Sequence, residues 1–462
     1  MKKMTRRESA FRQKHLSCVR HMTLDPYGPG VVRMHMIPPR EGLANEPFML
    51  LLNGAHLVPL NLSWAILLSN FMDALEPFNG HEIAEHDWAH ITAKAVAATG
   101  RVYPFISRRR LRDDLGLMLD SIIDIARGRT PQAEVELLTL GEYAPHMTAP
   151  HRMDLMVSAM TKNGCWHCNQ KCLHCYAAGQ PMGEAEELST EEWKAVLNKL
   201  RAANIPQVTF TGGEPTLRSD LVELVEAAQW FVTRLNTNGR LLTSQLCRSL
   251  YEASLDSVQV TLYAADAESH NALVGAPGFD DTVQGIRNAV EAGLVVSVNT
   301  PLCSLNRNYA KTLRFAHSLG VRYATCSGLI PSGDALGNSS RATALGAEEL
   351  TDILRDATTA ATALGIELDF TSPGWLDEET LRSLGLTLIP SCGACLSNMA
   401  IAPDGTVVPC QSWLGGVTLG HILSDNWNSI WDNEACRAIR TESAKTEHLC
   451  QLRCGNRGGE GK

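Results

Sequence analysis

From residue 153 onward the chain alternates short runs of apolar and β-branched residues with longer amphipathic stretches. The short runs predict strands over 154–159, 207–211, 232–236, 257–262, 295–300 and 322–325. The stretches between them predict helices near 190–203, 220–229, 243–253, 281–292 and 309–319. Six strands separated by helices call for an α/β fold: a parallel sheet with right-handed crossovers, open or closing into a partial barrel. Ligands bind such sheets at the carboxyl ends of the strands, so chemistry is expected in the loops that follow strands.

A different pattern precedes this core. Residues 49–58 read as two strands around an Asn53-Gly54 hairpin turn. Three helical stretches follow near 62–75, 85–98 and 108–127, the first capped by Ser63. A small sheet followed by three helices is a winged-helix-like plan. Beyond the core, 331–340 is loop-rich and 347–364 is helical. A hairpin over 399–409 then turns at Asp404-Gly405 within a cysteine-rich end. The expected organisation is a basic extension (1–40), a winged-helix-like domain (41–148), the α/β core (149–335) and a small cysteine-rich domain (336–462).

Composition narrows the function classes. Of 462 residues, 44% are hydrophobic and 20% charged, which is ordinary for a globular protein. A net charge of −9 and 6% aromatics argue against a general nucleic-acid binder. The first forty residues hold nine Lys/Arg against Glu8 and Asp25, either a solvated leader or an attractor of an acidic partner. Arg12, Lys14 and Arg20 interrupt any signal-peptide core behind Lys2, Lys3, Arg6 and Arg7. The clean apolar run Leu62 to Leu68 is far short of the ~20 residues a bilayer needs. A cytoplasmic protein without membrane or nucleic-acid partners is expected. In a reducing compartment grouped cysteines hold metal more often than they form disulfides. Of 14 cysteines, Cys165, Cys168, Cys172 and Cys175 form one group, and Cys392, Cys395, Cys410, Cys450 and Cys454 another; Cys18, Cys247, Cys303, Cys326 and Cys436 stand alone.

Cys168, Cys172 and Cys175 form C-x3-C-x2-C in the loop after the first core strand. Three thiolates on so short a segment can wrap three corners of an iron–sulfur cube and leave one iron open. A zinc site normally closes with four ligands, and with Cys165 a zinc knuckle is the alternative. The loop after the next strand carries Gly212-Gly213-Glu214-Pro215. Its two glycines let backbone approach a ligand closely, and Glu214 suits an ammonium group.

At these residues the chain resembles the radical S-adenosylmethionine (SAM) enzymes, over roughly residues 153–331. The resemblance implies a partial (βα)6 barrel and a [4Fe–4S] cluster ligated by Cys168, Cys172 and Cys175, whose open iron chelates SAM. It places Tyr176 on the adenine side through its backbone, and Gly212, Gly213 and Glu214 on the methionine moiety. Thr261 and Asn299 would lie near the carboxylate or ribose. The segment Asn236-Thr237-Asn238-Gly239 is similar to the family's third-strand end, or is a plain turn. The implied chemistry is reductive cleavage of SAM to a 5′-deoxyadenosyl radical that takes hydrogen from an unactivated carbon. A low-potential electron donor such as ferredoxin or flavodoxin would serve it.

Cys395-x9-Gly405-x4-Cys410 resembles the opening of SPASM/twitch domains, which carry auxiliary iron–sulfur clusters, and Cys450-x3-Cys454 resembles their closing segment. Thr441 and Ala444 stand where two more cysteines would be, so the ligands suit one auxiliary cluster. The preferred set is Cys392, Cys395, Cys410 and Cys454, with Cys450 as substitute; a structural zinc is the alternative. Cys303 and Cys326, at the ends of the fifth and sixth strands, are candidate hydrogen-atom donors, or small buried hydrophobes. The leading domain resembles the peptide-recognition domains of ribosomal-peptide (RiPP) maturases, which add a leader strand to a sheet edge. The sequence therefore reads as a radical SAM enzyme modifying a peptide or small protein by cross-linking, epimerisation or oxidation. Tetrapyrrole or cofactor biosynthesis is the alternative among enzymes, and a zinc-stabilised binding protein the alternative from another class.

Overall fold

The computed structural model describes residues 4–24, 32–39, 46–53, 56–78, 82–386, 388–446 and 449–452. The chain divides into two compact units, Met1–Thr148 and Ala149–Lys462. No helix among the described residues is long and apolar enough to cross a membrane.

The first unit holds a four-stranded antiparallel meander: β1 (Arg20–Leu24), β2 (Val32–Ile37), β3 (Phe48–Leu52) and β4 (His56–Leu60), in that spatial order. Half of this sheet comes from the segment expected to be a separate basic extension. Residues Arg6–His15 within it form a helix closed by a capping box between Thr5 and Glu8. The helix buries none of its own residues and edge strand β1 buries only Leu24, so neither carries an apolar stripe to set against the basic charge. The β3–β4 hairpin turns at Asn53, whose φ of +50° suits an Asn and whose Oδ1 accepts from the Arg33 amide (2.7 Å); Gly54 lies outside the described residues. Helices Leu62–Leu75, Glu85–Val102 and Arg108–Ala126 follow. Their Ile66, Phe71, Ile91, Leu115 and Ile122 share one core with Met34, Leu50 and Leu52. Asn61, not Ser63, caps the first of them: its Oδ1 accepts from the Trp64 amide (3.1 Å) and the Ser63 hydroxyl (2.7 Å).

The second unit opens with β5 (Arg152–Ser158) and a two-residue-strand hairpin, β6 (Thr161–Lys162) and β7 (Cys165–Trp166). Parallel strands β8 (Gln207–Gly212), β9 (Val232–Thr237), β10 (Ser257–Thr261), β11 (Val295–Pro301), β12 (Tyr323–Ser327) and β13 (Glu367–Phe370) continue the sheet from β5. Crossover helices Thr190–Ala202, Leu221–Ala227, Ser244–Glu252, Phe279–Glu291 and Tyr309–Ser318 lie where periodicity puts them. Alternation sorts the strands cleanly. Val208, Phe210, Leu235, Val258, Val260 and Val298 are fully buried, whereas Thr209, Asn236, Gln259, Thr261, Asn299 and Thr325 line a single cavity of about 470 Å3. One face of all six core strands surrounds that cavity, so the sheet curls into a partial barrel with a polar interior.

Three features go beyond the sequence reading. Strand β13 extends the sheet past β12. A helix over Ala267–Val274 interrupts the crossover after β10 and ends at Gly275, with φ +64°. On the opposite edge, β14 (Asn398–Ile401) pairs in parallel with β5, in register from Asn398 beside Arg152 to Ile401 beside Leu155. Strands β15 (Thr406–Val408) and β16 (Gly420–His421) then continue outward antiparallel. The cysteine-rich end is thus a continuation of the barrel sheet.

On β13, burial and the Glu367 charge on the same strand face push the Asp369 carboxyl up from 3.8 to about 6. Folding therefore carries a penalty that is absent below pH 3.8, grows between 3.8 and 6, and is complete above 6. Asp369→Asn should stabilise the protein by up to about 2 kcal/mol at pH 8, with the gain shrinking towards pH 4.5. Thermal melts at the two pH values check this, and an unchanged or lowered melting temperature at pH 8 refutes it.

Candidate functional site

The C-x3-C-x2-C loop follows the β6–β7 hairpin and is fastened from several sides. Amides of Lys171 and Leu173 donate to Val274 O (3.0 Å) and Leu273 O (2.9 Å) of the helix after β10. The Trp166 indole donates to Gln170 O (2.8 Å), and Arg240 Nη1 to Asn169 O (2.6 Å). A Cβ on Gly275 would overlap Lys171 O, so the unanticipated helix seats directly on the loop. Cys168, Cys172 and Cys175 all line the cavity. Burial raises each thiol, Cys168 to about 12, and at Cys172 the neighbouring Cys175 and Cys168 sulfurs add to the rise. Three half-buried thiols facing one cavity resist ionising unless a cation joins them, and a bound metal would reverse that preference. Cys165 is exposed on β7, opposite Lys162, and does not line the cavity. His174 is buried and hydrogen-bonded through Nε2 to Thr343 Oγ1 (2.8 Å), a positioning role.

The ends of β5 and β8 meet beside this loop. The Gly213 amide donates to Ser158 O (2.7 Å), and Cys168 Sγ lies 3.4 Å from Gly213 O. Gly212 has φ +130°, and a Cβ there would overlap Ser158 O; one on Gly213 would come within 2.7 Å of Ala159 O. Only glycine fits both positions. Glu214 is 1% exposed, and its carboxylate is already occupied. It accepts from the Thr216 amide (3.0 Å) and hydroxyl, the Thr237 hydroxyl (2.6 Å) and the Asn238 amide (2.8 Å). Burial still raises its pKa. Its first task is therefore to lock the Asn236-Thr237-Asn238-Gly239 turn to the Gly-Gly segment, so that segment is a built part of the site. The Tyr176 carbonyl is likewise engaged, by Gln180 Nε2 and by Ser332 Oγ (3.3 Å).

Thr261 and Asn299 line the same cavity, Asn299 Oδ1 accepting from Thr325 Oγ1 (2.8 Å). Asn236 Oδ1 and Gln170 Nε2, on two further lining residues, are buried without a hydrogen-bond partner. Such groups cost free energy unless a ligand engages them. Cys303 and Cys326 are not brought to the cavity. Thr325 and Ser327 line it, and alternation turns Cys326 to the opposite face, against Tyr309. Cys303 is fully buried among Tyr263, Leu273, Val274 and Leu329. Both are packing residues in this structure.

The C-terminal cysteines gather around the β14–β15 hairpin. Cys392, Cys410 and Cys450 line the cavity that also holds the first three thiols. Cys410 is pushed up to about 12 by burial and by Cys392 and Cys450. Cys395 is fully buried, with φ +53° and its amide on Pro409 O (3.1 Å). Its thiol contacts Cys436, a cysteine that stands alone in sequence. Cys436 lies on the inner face of helix Glu434–Lys445 with Arg440 and Ser443; Arg440 Nη1 donates to its sulfur (3.5 Å), and Ser443 Oγ lies 3.8 Å from Cys392 Sγ. The i, i+4, i+7 spacing of 436, 440 and 443 is the only sequence signal for it. Cys454 lies outside the described residues. Among the described residues no three His, Cys, Asp or Glu converge as for a single metal ion. A zinc ion with Zn–S of about 2.3 Å needs its sulfurs within ~4 Å of one another, whereas a four-iron cube spreads them wider. The described thiols are therefore not gathered as a single zinc ion would require.

Known proteins agree with this geometry. A family model for the radical SAM superfamily matches residues 167–319, and one for the SPASM iron–sulfur cluster-binding domain matches residues 392–455. The AdoMet-dependent heme synthase of Oleidesulfovibrio alaskensis is 32% identical over 188 residues, 40% of this chain and 47% of that protein. The Fe-coproporphyrin III synthase of Methanosarcina barkeri is 38% identical over 134 residues, 28% of this chain and 33% of that protein. A probable GTP 3′,8-cyclase of Saccharolobus solfataricus is 34% identical over 171 residues, 36% and 55% respectively. The chain thus spans about half the length, or less, of these curated relatives. Among solved structures, Streptococcus suis SuiB bound to precursor peptide SuiA matches with TM-score 0.60 and 13% identity, over 89% of this chain and 93% of that one. Native anSMEcpe with bound AdoMet matches with TM-score 0.51 and 16% identity, over 63% and 83%. At these identities the structural likeness is one of fold. With three thiols on the strand-end loop, a Gly-Gly-Glu segment packed against them and a second cysteine group on the same sheet, the chain carries a radical SAM superfamily domain, which implies a [4Fe–4S] cluster and SAM, and a SPASM domain, which implies auxiliary iron–sulfur binding.

Proposed function

We propose that this enzyme modifies a peptide or small protein by hydrogen abstraction inside the polar barrel. Cys168, Cys172 and Cys175 would hold the catalytic cluster. The Gly212–Gly213 backbone, Asn236, Thr261 and Asn299 would meet SAM, with Glu214 fixing the turn that presents them. When bound, cluster and SAM supply the reducing electron and the hydrogen-abstracting group. The chain's own residues orient the substrate and exclude water. Cys392, Cys395 and Cys410 would hold one auxiliary cluster with Cys454 or Cys450. A low-potential ferredoxin or flavodoxin suits the electron supply.

The observation that carries the peptide reading is the first unit's sheet. Among the described residues β1 pairs only with β2, and an edge strand offers a row of amides and carbonyls to an added peptide strand. The fold likeness to SuiB, solved with a precursor peptide, supports the same reading. A second reading, tetrapyrrole chemistry, is favoured by the names of the heme and coproporphyrin relatives. The polar lining by Thr209, Asn236, Gln259 and Thr325 suits it less well, because a porphyrin face is apolar.

Anaerobically reconstituted protein should bind about eight irons per chain and cleave SAM under reduction. Cys172→Ala should lose about four irons and all SAM cleavage, while Cys410→Ala should lose a similar amount of iron but keep cleavage. Iron analysis and product chromatography read both, and cleavage retained in Cys172→Ala refutes the site. For the substrate, SAM turnover should rise at least tenfold with short peptides encoded beside the gene and stay flat with iron-coproporphyrin. The opposite pattern would establish the second reading.

A further inference from the structure

A smaller cavity of about 180 Å3 adjoins the main one, lined by Leu329, Ile330, Pro331, Leu336 and Trp375, with Arg341 and Ala344. Leu329, Ile330, Pro331 and Trp375 also line the main cavity, so the two spaces share a wall. That wall is held in register with the cysteine loop. The Asp334 amide donates to Cys175 O (2.9 Å), Ser332 Oγ to Tyr176 O (3.3 Å), and Thr343 Oγ1 meets His174 Nε2 (2.8 Å). Trp375 lies flush on Gly328, where a Cβ would come within 2.5 Å of the indole ring. The slot therefore has a fixed position relative to the three thiols.

Its chemistry is selective. Small-molecule sites usually occupy ~300 Å3 or more, so this volume suits one large side chain. The walls are apolar apart from Arg341, and Leu336 remains 38% exposed, apolar surface that an occupant would remove from water. Arg341 forms no salt bridge among the described residues, and a guanidinium beside an apolar slot matches a carboxylate.

We infer that this slot is a specificity subsite that takes a large apolar side chain of the substrate lying next to a carboxylate, with Arg341 engaging the carboxylate while the reacting residue occupies the main cavity. The inference rests on the peptide reading and adds the kind of residue that neighbours the reacting one. A peptide that follows the shared wall would enter both spaces with consecutive or near-consecutive side chains.

The probe is N-acetyl-4-fluoro-L-phenylalanine, with its primary amide as control, titrated into the full-length protein and followed by fluorine NMR line broadening. The wild type should bind the acid roughly tenfold more tightly than the amide. Arg341→Gln should erase that difference and leave amide binding unchanged. Ala344→Trp, which fills the slot, and Leu336→Asp, which charges it, should both abolish binding; the two positions are exposed, so folding is preserved and circular dichroism verifies it. Absence of wild-type binding, or undiminished binding in both slot variants, overturns the subsite. Because the probe needs no turnover, that failure is separate from failure of the peptide reading, which the SAM-turnover comparison decides.

Discussion

The site depends on one close approach, the meeting of two backbones where β5 and β8 end. Gly212 and Gly213 pack so tightly on Ser158 and Ala159 that no side chain fits between them. This contact sets the Gly-Gly segment beside Cys168, whose sulfur lies against Gly213 O. Glu214 then carries the constraint onward, tying its own strand end to Thr237 and Asn238 on the next. Three strand ends are thereby locked into one rim. The cost of burying a carboxylate is offset by four donors aimed at it.

Below the rim, the barrel departs from what a parallel sheet usually does. Strands buried on both faces tend to read as continuous apolar runs, yet here the inner face carries Thr209, Asn236, Gln259, Asn299 and Thr325. A polar lumen keeps the sheet from collapsing on itself as a dry core and leaves hydrogen-bonding groups for an incoming molecule. The apolar burial lies on the outer face, where Val208, Phe210, Val258 and Val260 are shut away from solvent.

Local chemistry was legible in the sequence and long-range pairing was not. The crossover helices and six core strands follow from periodicity, and the cysteine spacing with the Gly-Gly segment located the rim. Cys326 was misplaced because side chains alternate: one position along β12 separates the lumen from the helix side, and strand bounds are rarely that sharp. Cys436 escaped notice because nothing in its immediate neighbourhood marks it; only the helix face shared with Arg440 and Ser443 brings it to Cys395. The charged first forty residues hid half of a sheet: edge strand β1 buries only Leu24, and the apolar run of β2 is a mere six residues long. The pairing of β14 with β5 joins residues 246 positions apart, Asn398 with Arg152, and leaves no local trace.

That last pairing changes how the two cysteine groups should be regarded. With β14 hydrogen-bonded along β5, the tail is stitched to the barrel by main-chain bonds instead of leaning on it through side chains. Removing it would lay bare a long, largely buried strand as a raw border, the sort of surface that recruits other chains into aggregates. A shift of the tail's cysteine-bearing hairpin would likewise be passed to the strand that leads into the first cysteine loop. The two cysteine groups hang from one hydrogen-bonded sheet.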